Sequence, residues 1–464
     1  MQKKAINNKY YYLIIFSLFL GICAPTLWTD GMFMDGLFYA SCAKNLANGL
    51  GEFWYPHLSK TLFPSFHEHP PLAIGLQSIF FYFLGESIYV ERIYSLITFI
   101  ICGFFIHLIW KEIVDNKYLY FSWLPIFFWI IIPLNSWSCS NNMLENTMSI
   151  FVCSSIYFSL KYHKENQVKH IFLAGLFIFL AFLTKGFTGI FPLSIFLWLF
   201  IFIRKDKKFK LLLNISLLFL FTIIPLILLY LFNYTAIESL TNYINIQVIK
   251  SIQEIETVEN RFFIVKKLLL EILPIISLST IILVIHWKNN NNIITVYKKW
   301  IYFFFSLAIS GVLPIMVSMK QSGFYILTTL PYFCIGFGLL IVPNIYKYFN
   351  QINYKKIKIG SFILLTISII LSLSMYKKIG RDLHMISDIK LFMDIIPKNS
   401  TVSISSNRKI YNLTGYFARY GNISLDRKDQ HVFHIEYIDE FKKERNKYNK
   451  INIETNLLYL FKRK

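Results

Sequence analysis

Charged side chains are scarce in this chain of 464 residues. They make up 16% of the sequence, against about 25% in ordinary soluble proteins, whereas hydrophobic residues make up 55%. Cysteine is also rare, and the six cysteines show neither CxxC nor metal-ligand spacing. This composition excludes a disordered chain, a collagen and a disulfide-rich miniprotein. A water-soluble fold could not bury so much apolar surface, so the composition predicts a polytopic membrane protein.

Acidic residues are the scarcer of the charged types. The chain has 26 Asp and Glu against 47 Lys and Arg, which gives a net charge of +21. In a soluble chain this charge would suggest nucleic-acid binding. Here the basic residues stand between apolar runs, where they are typical of cytoplasmic loops. We therefore expect membrane lipids and no nucleic acid as partners.

Twelve apolar runs alternate with polar loops. The run 72–84 is only about 20 Å long as a helix, too short to cross the hydrocarbon, so we expect it to lie on the outer surface. With the N-terminus inside, the inner stretches then hold 20 Lys and Arg and the outer stretches hold 7, as the positive-inside rule requires. The pattern predicts an all-α protein with about 11 transmembrane helices plus interfacial helices. The predicted spans are 11–28, 93–110, 119–134, 147–160, 171–183, 188–203, 211–232, 264–286, 300–318, 324–342 and 359–375.

The polar tail, residues 376–464, differs from the transmembrane part, residues 1–375. It contains 18 Lys and Arg and 10 Asp and Glu. A helix is predicted at 388–395, followed by a turn and a strand that end at residue 404. We therefore predict a small α+β domain outside the membrane. It lies on the same side as the first outer loop, 29–92, which is expected to contain the interfacial helices.

The first outer loop contains two clusters of reactive side chains. Asp35 stands near the start of a predicted helix, where it is either a functional acid or an N-cap. In the segment 67–71, His67 and His69 flank Glu68, and two prolines follow. Two imidazoles around a carboxylate suit a divalent metal or a phosphate; the alternative is a rigid polar turn. Long loops of this kind are usually functional.

Three more polar marks stand at the outer ends of apolar runs. They contain Glu145, Lys185 and Lys320. A charge at a membrane boundary can simply extend to the interface. Under the predicted topology, however, all three face the same side as Asp35 and Glu68. The sequence therefore predicts one site that gathers carboxylates and ammonium groups.

In their order and spacing, these motifs resemble the GT-C glycosyltransferases. The resemblance is to the bacterial protein O-mannosyltransferase-like group that includes the aminoarabinose transferase of lipid A, and it covers roughly residues 10–345. It rests on Asp35-Gly-Leu-Phe-Tyr39, His69-Pro-Pro-Leu72, Leu84-Gly-Glu-Ser87, Asn142-Met-Leu-Glu145, Thr184-Lys-Gly186 and the segment 320–331.

The resemblance implies transfer of a sugar from a polyprenyl-phosphate donor to an acceptor hydroxyl. The acceptor would be lipid A or lipopolysaccharide, another glycan or a protein, and the reaction would occur on the extracytoplasmic face of the bacterial inner membrane. Asp35 maps to the candidate base and Glu145 to a second acid. Glu68 maps to a position beside a divalent metal ion; no nucleotide or redox cofactor is expected.

Five further residues are predicted to bind substrate. Lys185 and Lys320 would stabilise the departing phosphate. Tyr39 would stack on sugar or isoprenoid, unless it belongs to an interfacial aromatic belt. His69 and Tyr325 complete the set. Two departures from the family pattern concern Phe38, where many relatives have a basic residue, and the loop 233–263, which lacks a histidine for a metal.

Two other classes of protein remain alternatives. A transporter or flippase of lipid-linked sugars should place charges in mid-membrane on broken helices, often in repeated halves. The predicted spans show no repeat and are nearly uncharged, with Glu271 as an exception. An inactive scaffold with a partner-binding tail would not require the outward-facing acids and bases.

Overall fold

The computed structural model describes residues 9–203, 207–289, 293–349, 353–441 and 447–464. The basic stretches 1–10 and 204–210, which support the predicted topology, lie partly outside the described residues.

Seventeen α-helices precede a C-terminal sheet in the described residues. Short 3₁₀ helices prolong several of them, for example at Gly186–Gly189 and Gly323–Thr329. The α-helices are α1 Lys9–Ile22, α2 Ala24–Leu27, α3 Met34–Ala47, α4 Leu72–Leu84, α5 Val90–Ile113, α6 Trp123–Ile131, α7 Pro133–Ser140, α8 Leu144–Glu165, α9 Val168–Lys185, α10 Ile195–Trp198, α11 Lys208–Phe232, α12 Tyr234–Tyr243, α13 Lys250–Gln253, α14 Phe263–Lys288, α15 Lys298–Val312, α16 Leu330–Phe349 and α17 Tyr354–Ser374.

Seven helices within the described ranges are long and apolar enough to cross a membrane. An eighth is added if the bent pair Asn116–Ile131 and Pro133–Ser140 is one span. The predicted spans at 11–28 and 188–203 fall on shorter apolar helices, and 147–160 falls within α8. The multi-pass, helical character is thus confirmed, and the count of 11 stays a prediction. The run 72–84 forms α4 with the predicted bounds, and its place on the outer surface also stays a prediction.

Burial distinguishes the centre of the helical part from its edge. In the span that contains α16, 83% of the most apolar window is buried, against 11% in α11. The edge helices expose large apolar side chains such as Phe219 and Leu231 of α11. Apolar side chains on the outside of a transmembrane bundle face the lipid tails, which are as apolar as they are. No hydrophobic driving force therefore requires these side chains to be buried within the protein.

Glu271, the charge that the sequence places inside a span, stabilises a helix break. Its Oε2 accepts the backbone N–H of Leu134 at 2.8 Å, in the first turn of α7, and its Oε1 lies 2.6 Å from the ammonium of Lys267. The helix axis turns by 76° between α6 and α7. A structural role therefore accounts for this carboxylate, and it gives no support to a transport path.

The C-terminal region is a small mixed sheet with two helices. The strand order is β4-β3-β5-β7-β6; β3 is parallel to β4 and β5, and β7 is antiparallel to β5 and β6. The predicted helix and strand are present, with the helix starting five residues earlier. The elements are α18 Leu383–Met393, β3 Thr401–Ser405, α19 Tyr411–Gly421, β4 Ser424–Asp426, β5 Phe433–Tyr437, β6 Tyr448–Lys450 and β7 Leu458–Arg463, and the first outer loop adds the pair β1 Gly51–Glu52 and β2 Tyr55–Pro56.

Buried polar contacts attach this region to the first outer loop and α5. The Arg419 guanidinium donates from Nε and Nη2 to the two carboxylate oxygens of Glu91, at 2.9 and 2.8 Å. The Lys44 ammonium donates to the carbonyls of Ala418 and Arg419 at 3.1 and 2.8 Å. Asp30 accepts from the Tyr420 hydroxyl at 2.7 Å. Helix α19 is therefore held directly on α3 and on the start of α5.

Candidate functional site

Asp35 lies in the first turn of α3, half-buried, where the helix dipole favours a negative charge. The N-cap position belongs to Phe33, and no side chain caps the helix. The alternative interpretation of Asp35 as the N-cap is therefore wrong.

The start of α3 is held against the start of α8 by direct contacts. The Phe33 N–H donates to the Asn141 side-chain oxygen at 2.8 Å, and the Asn142 amide donates to the Gly36 carbonyl at 3.1 Å. A Cβ atom at Gly36 would lie 2.1 Å from the Asn141 carbonyl oxygen. Only glycine permits this approach, which places Asp35 beside the helix turn that contains Glu145.

A buried pair of amides adds α4 to this junction. The Gln77 amide donates to the Asn142 side-chain oxygen at 2.9 Å, and the Asn142 amide donates back to Gln77 at 3.2 Å. Both residues are buried. Because buried amides are costly to leave unpaired, this reciprocal pair fixes the relative positions of α3, α4 and α8.

Glu145 and Lys185 form a fully buried ion pair between α8 and the end of α9. The second carboxylate oxygen of Glu145 has no hydrogen-bond partner among the described residues. The Lys185 ammonium also lies 5.0 Å from the ring centroids of both Phe324 and Tyr325, within cation–π range. The structure therefore joins three of the predicted site residues directly.

Asp35 interacts electrostatically with the other four charged residues of the predicted site. Burial raises the pKa of Asp35 to about 6; Lys185 and Lys320 oppose this rise, and Glu145 and Glu68 add to it. Burial also raises the pKa of Glu68, against the opposing charges of the same two lysines. The charges that the sequence predicts to share a site are thus close enough to influence each other.

Lys320 lines a cavity of about 390 Å³. Its ammonium donates to the Gln247 side-chain oxygen at 2.8 Å. Burial lowers the pKa of Lys320, and the Glu68 and Asp35 carboxylates oppose this effect. His69, Lys185 and Tyr325 also line the cavity, and the remaining walls are mostly apolar, with Phe187, Val248, Ile252, Pro314, Ile315 and Val317.

His69 and Tyr39 occupy adjacent positions with different access. The Nδ1 atom of His69 is buried and has no partner in the described part of the chain, and burial lowers the pKa of its imidazole well below the usual value. Tyr39 lies behind it, with ring centroids 6.0 Å apart, and is buried against Phe66 in an apolar cluster. Tyr39 is not among the residues that line the cavity, so its predicted stacking on substrate gains no support.

The residues around Glu68 do not form a metal site by themselves. Across the described ranges, no group of three or more His, Cys, Asp or Glu side chains is placed to hold a metal ion. The neighbouring His67 instead faces Ser239, with Nδ1 3.3 Å from the hydroxyl. A metal beside Glu68 stays a prediction, and no chemical step is derived from it.

Several residues that line the cavity were not predicted from the sequence. Tyr243, Gln247 and Ser251 line the cavity from the segment 233–263. Their spacing of four residues, typical of one helix face, could have identified them. The Tyr243 hydroxyl lies 3.5 Å from the Lys185 carbonyl, and a Cβ at Gly186 would meet this hydroxyl. Gln77, which pairs with Asn142 and does not line the cavity, could have been identified as the one amide in a largely apolar run.

A family described as dolichyl-phosphate-mannose-protein mannosyltransferase matches residues 68–229. This segment, about a third of the chain, includes Glu68, Glu145 and Lys185. Among curated proteins, none matches the chain.

Solved structures match over nearly the whole length. ArnT from Cupriavidus metallidurans bound to undecaprenyl phosphate has a TM-score of 0.67 at 11% identity, with 98% of each chain covered. The same protein in the apo state has a TM-score of 0.63 at 12% identity, with 97% of each chain covered. AglB, an oligosaccharyltransferase from Archaeoglobus fulgidus in complex with an inhibitory peptide and a dolichol-phosphate, reaches 0.56 at 11% identity over 93% of this chain and 69% of its own. At such low identity, these likenesses establish the fold.

Proposed function

We propose that this multi-pass membrane protein transfers a sugar from a polyprenyl-phosphate donor to an acceptor hydroxyl. Its GT-C fold, which agrees with the resemblance that the motifs indicate, supports this proposal. The observation that carries the proposal is the group of partly buried charges around Asp35, together with the buried Glu145–Lys185 pair, next to a cavity with apolar walls.

The cavity suits a donor that is charged at one end and apolar at the other. Lys185 and Lys320 offer two ammonium groups for a phosphate, and the apolar walls offer a surface for an isoprenoid chain. Two solved relatives in fold hold a lipid phosphate, undecaprenyl phosphate in ArnT and a dolichol-phosphate in AglB. These complexes support the proposed class of donor.

The reaction requires a proton acceptor and a cationic environment for the leaving group. The acceptor oxygen forms a bond to sugar C1, and the C1–O bond to the phosphate breaks with its electron pair passing to the phosphate. Asp35 accepts the hydroxyl proton. Lys185 and Lys320 stabilise the charge on the departing phosphate.

Glu145 acts on this chemistry through Lys185. Its carboxylate contacts the Lys185 ammonium inside the protein, so it holds that ammonium in place. The resemblance assigns Glu145 to a second acid, and the observed contact favours a positioning role.

We place the site and the C-terminal domain on the extracytoplasmic face of a bacterial inner membrane. The excess of Lys and Arg in the predicted inner loops supports this orientation. The acceptor is a hydroxyl of lipid A, of another glycan or of a protein.

Replacing Asp35 by Asn tests the proposed base. The amide is nearly isosteric but cannot accept the proton, so we expect transfer from a polyprenyl-phosphate sugar in isolated membranes to fall by about 10² to 10⁴. Asp394→Asn, an exposed acid in the C-terminal region, is the matched control and should retain full turnover. Undiminished turnover of Asp35→Asn would remove this residue as the base.

A further inference from the structure

A second cleft, of about 420 Å³, lies between the first outer loop and the C-terminal region. Four amides contribute to its walls, Asn45 and Asn48 from the end of α3 and Asn399 and Asn422 from the C-terminal region. Three lysines, Lys44, Lys60 and Lys398, also line it, and we call it the lysine–asparagine cleft.

This cleft is separate from the cavity beside Asp35. The two regions lie at opposite ends of α3, because ten residues separate Asp35 from Asn45, which is about 15 Å along a helix axis. The two sets of lining residues have no member in common. The proposed transfer reaction therefore leaves the cleft without a role.

Asn45 is held in the wall of this cleft by its own hydrogen bonds. The side chain is fully buried, and its amide nitrogen donates to the carbonyls of His57 and Leu58 at 2.9 and 3.1 Å. Its oxygen, Oδ1, has no hydrogen-bond partner among the residues that the structure describes. Because this oxygen is shielded from solvent, a ligand in the cleft meets other amides. Asn422 donates to the Asn399 side-chain oxygen at 2.7 Å, and this exposed pair offers further donor and acceptor atoms to hydroxyl groups.

The charges of the cleft favour an anionic ligand. Three lysines face one carboxylate, Glu86, which already accepts the Asn48 amide at 2.7 Å. Lys398 lies 3.8 Å from Glu86 with an exposed side chain, and Lys60 donates to the Asn399 carbonyl at 3.2 Å. Both ammonium groups are near enough to solvent to turn toward a bound anion.

We propose that the lysine–asparagine cleft binds an anionic saccharide, such as a phosphorylated sugar unit of an extended acceptor. Hydroxyl groups pair with the amides of Asn399 and Asn422, and Lys60 and Lys398 bind the anionic substituent. The identification of this saccharide with the acceptor rests on the proposed function, whereas binding itself does not.

Thermal unfolding of the purified full chain in detergent tests the cleft directly. The probes are glucose 6-phosphate, glucose and inorganic phosphate, and the apparent Kd of each follows from the dependence of Tm on its concentration. The measurements use the Asp35→Asn protein, so that a failure of the transfer reaction does not affect them. The variant is Lys60→Gln combined with Lys398→Gln, and the control is Lys428→Gln, an exposed lysine outside the cleft.

We expect glucose 6-phosphate to bind more tightly than either glucose or phosphate, and its affinity to fall at least about tenfold in the double variant but not in the control. Equal affinities for glucose 6-phosphate and phosphate would overturn the saccharide assignment. The same affinity in the double variant, or no shift with glucose 6-phosphate, would overturn the site.

Discussion

At the scale of the residue, the environment of Asp35 determines how it can act. Burial raises the pKa of its carboxyl to about 6, so the proton it accepts is held more strongly than by a solvated carboxylate. A base whose pKa lies near the working pH combines the correct protonation state with a useful proton affinity. The same burial makes the ionised form of Asp35 less stable in the folded protein than in water.

The pH dependence of transfer should report this carboxyl. Below about pH 6 Asp35 is protonated and cannot act as a base, so we expect the initial rate to fall about tenfold per pH unit and to level off above pH 7. A rate that stays constant between pH 4.5 and 7 would contradict this assignment.

Thermal unfolding checks the same group without an activity assay. When the pKa of an acid is higher in the folded state than in the unfolded state, the protein loses stability as the pH rises through the folded-state pKa. Asp35→Asn should therefore raise Tm relative to the unsubstituted chain more at pH 8 than at pH 4.5.

The sequence predicted the charged members of the site because charges at the ends of apolar runs are conspicuous. Glu145, Lys185 and Lys320 stand out against their neighbours, and the predicted topology places them on one side. The sequence could not predict that Tyr39 lies behind His69, nor that the Gln247 side chain accepts a hydrogen bond from Lys320. Those contacts depend on side-chain directions in loops, which local patterns do not specify.

At the scale of the element, the junction between α3 and α8 determines the position of both acids. It depends on a close backbone approach at Gly36 and on the amide pair of Gln77 and Asn142. The sequence predicted a helix that starts near Asp35 and an apolar span at 147–160, which falls within α8. The junction between them involves residues more than 100 positions apart, which no local pattern describes.

Gly36→Ala should disturb the site although it leaves every acidic residue in place. The new methyl group would lie 2.1 Å from the Asn141 carbonyl oxygen, so α3 and α8 must separate. We expect a loss of about 1 to 3 kcal/mol in stability, together with a reduced rate of transfer, measured by unfolding and by the membrane assay. Gly360→Ala is the matched control, since a Cβ there meets nothing within 4 Å, and it should be neutral in both measurements.

At the scale of the whole molecule, the fold joins a helical membrane part to a small sheet through α19. The apolar runs predicted most of the helices, and the polar tail predicted a separate α+β unit, because composition differs so strongly between the two. Their mutual arrangement was not predictable. It depends on ion pairs such as Glu91–Arg419, whose members stand 328 positions apart.

Arg419→Met should loosen this attachment. It leaves the Glu91 carboxylate buried without its guanidinium, at a cost of about 3 to 5 kcal/mol, whereas Arg419→Met with Glu91→Gln should cost less because no charge is left unpaired. Denaturant unfolding measures both. Arg408→Gln is the control, since its pair with Asp439 is exposed and should contribute under about 1 kcal/mol. Equal losses for the single and double variants would show that the buried charge is not the cause.

The helix α3 has one further consequence for the whole protein. Its fourteen residues form a rod about 21 Å long, with Asp35 at one end and Lys44, clamped to α19, at the other. The position of this helix therefore depends on contacts at both ends, the α3–α8 junction beside Asp35 and the attachment of Lys44 to α19. The C-terminal region thus takes part in positioning the helix that bears the carboxylate.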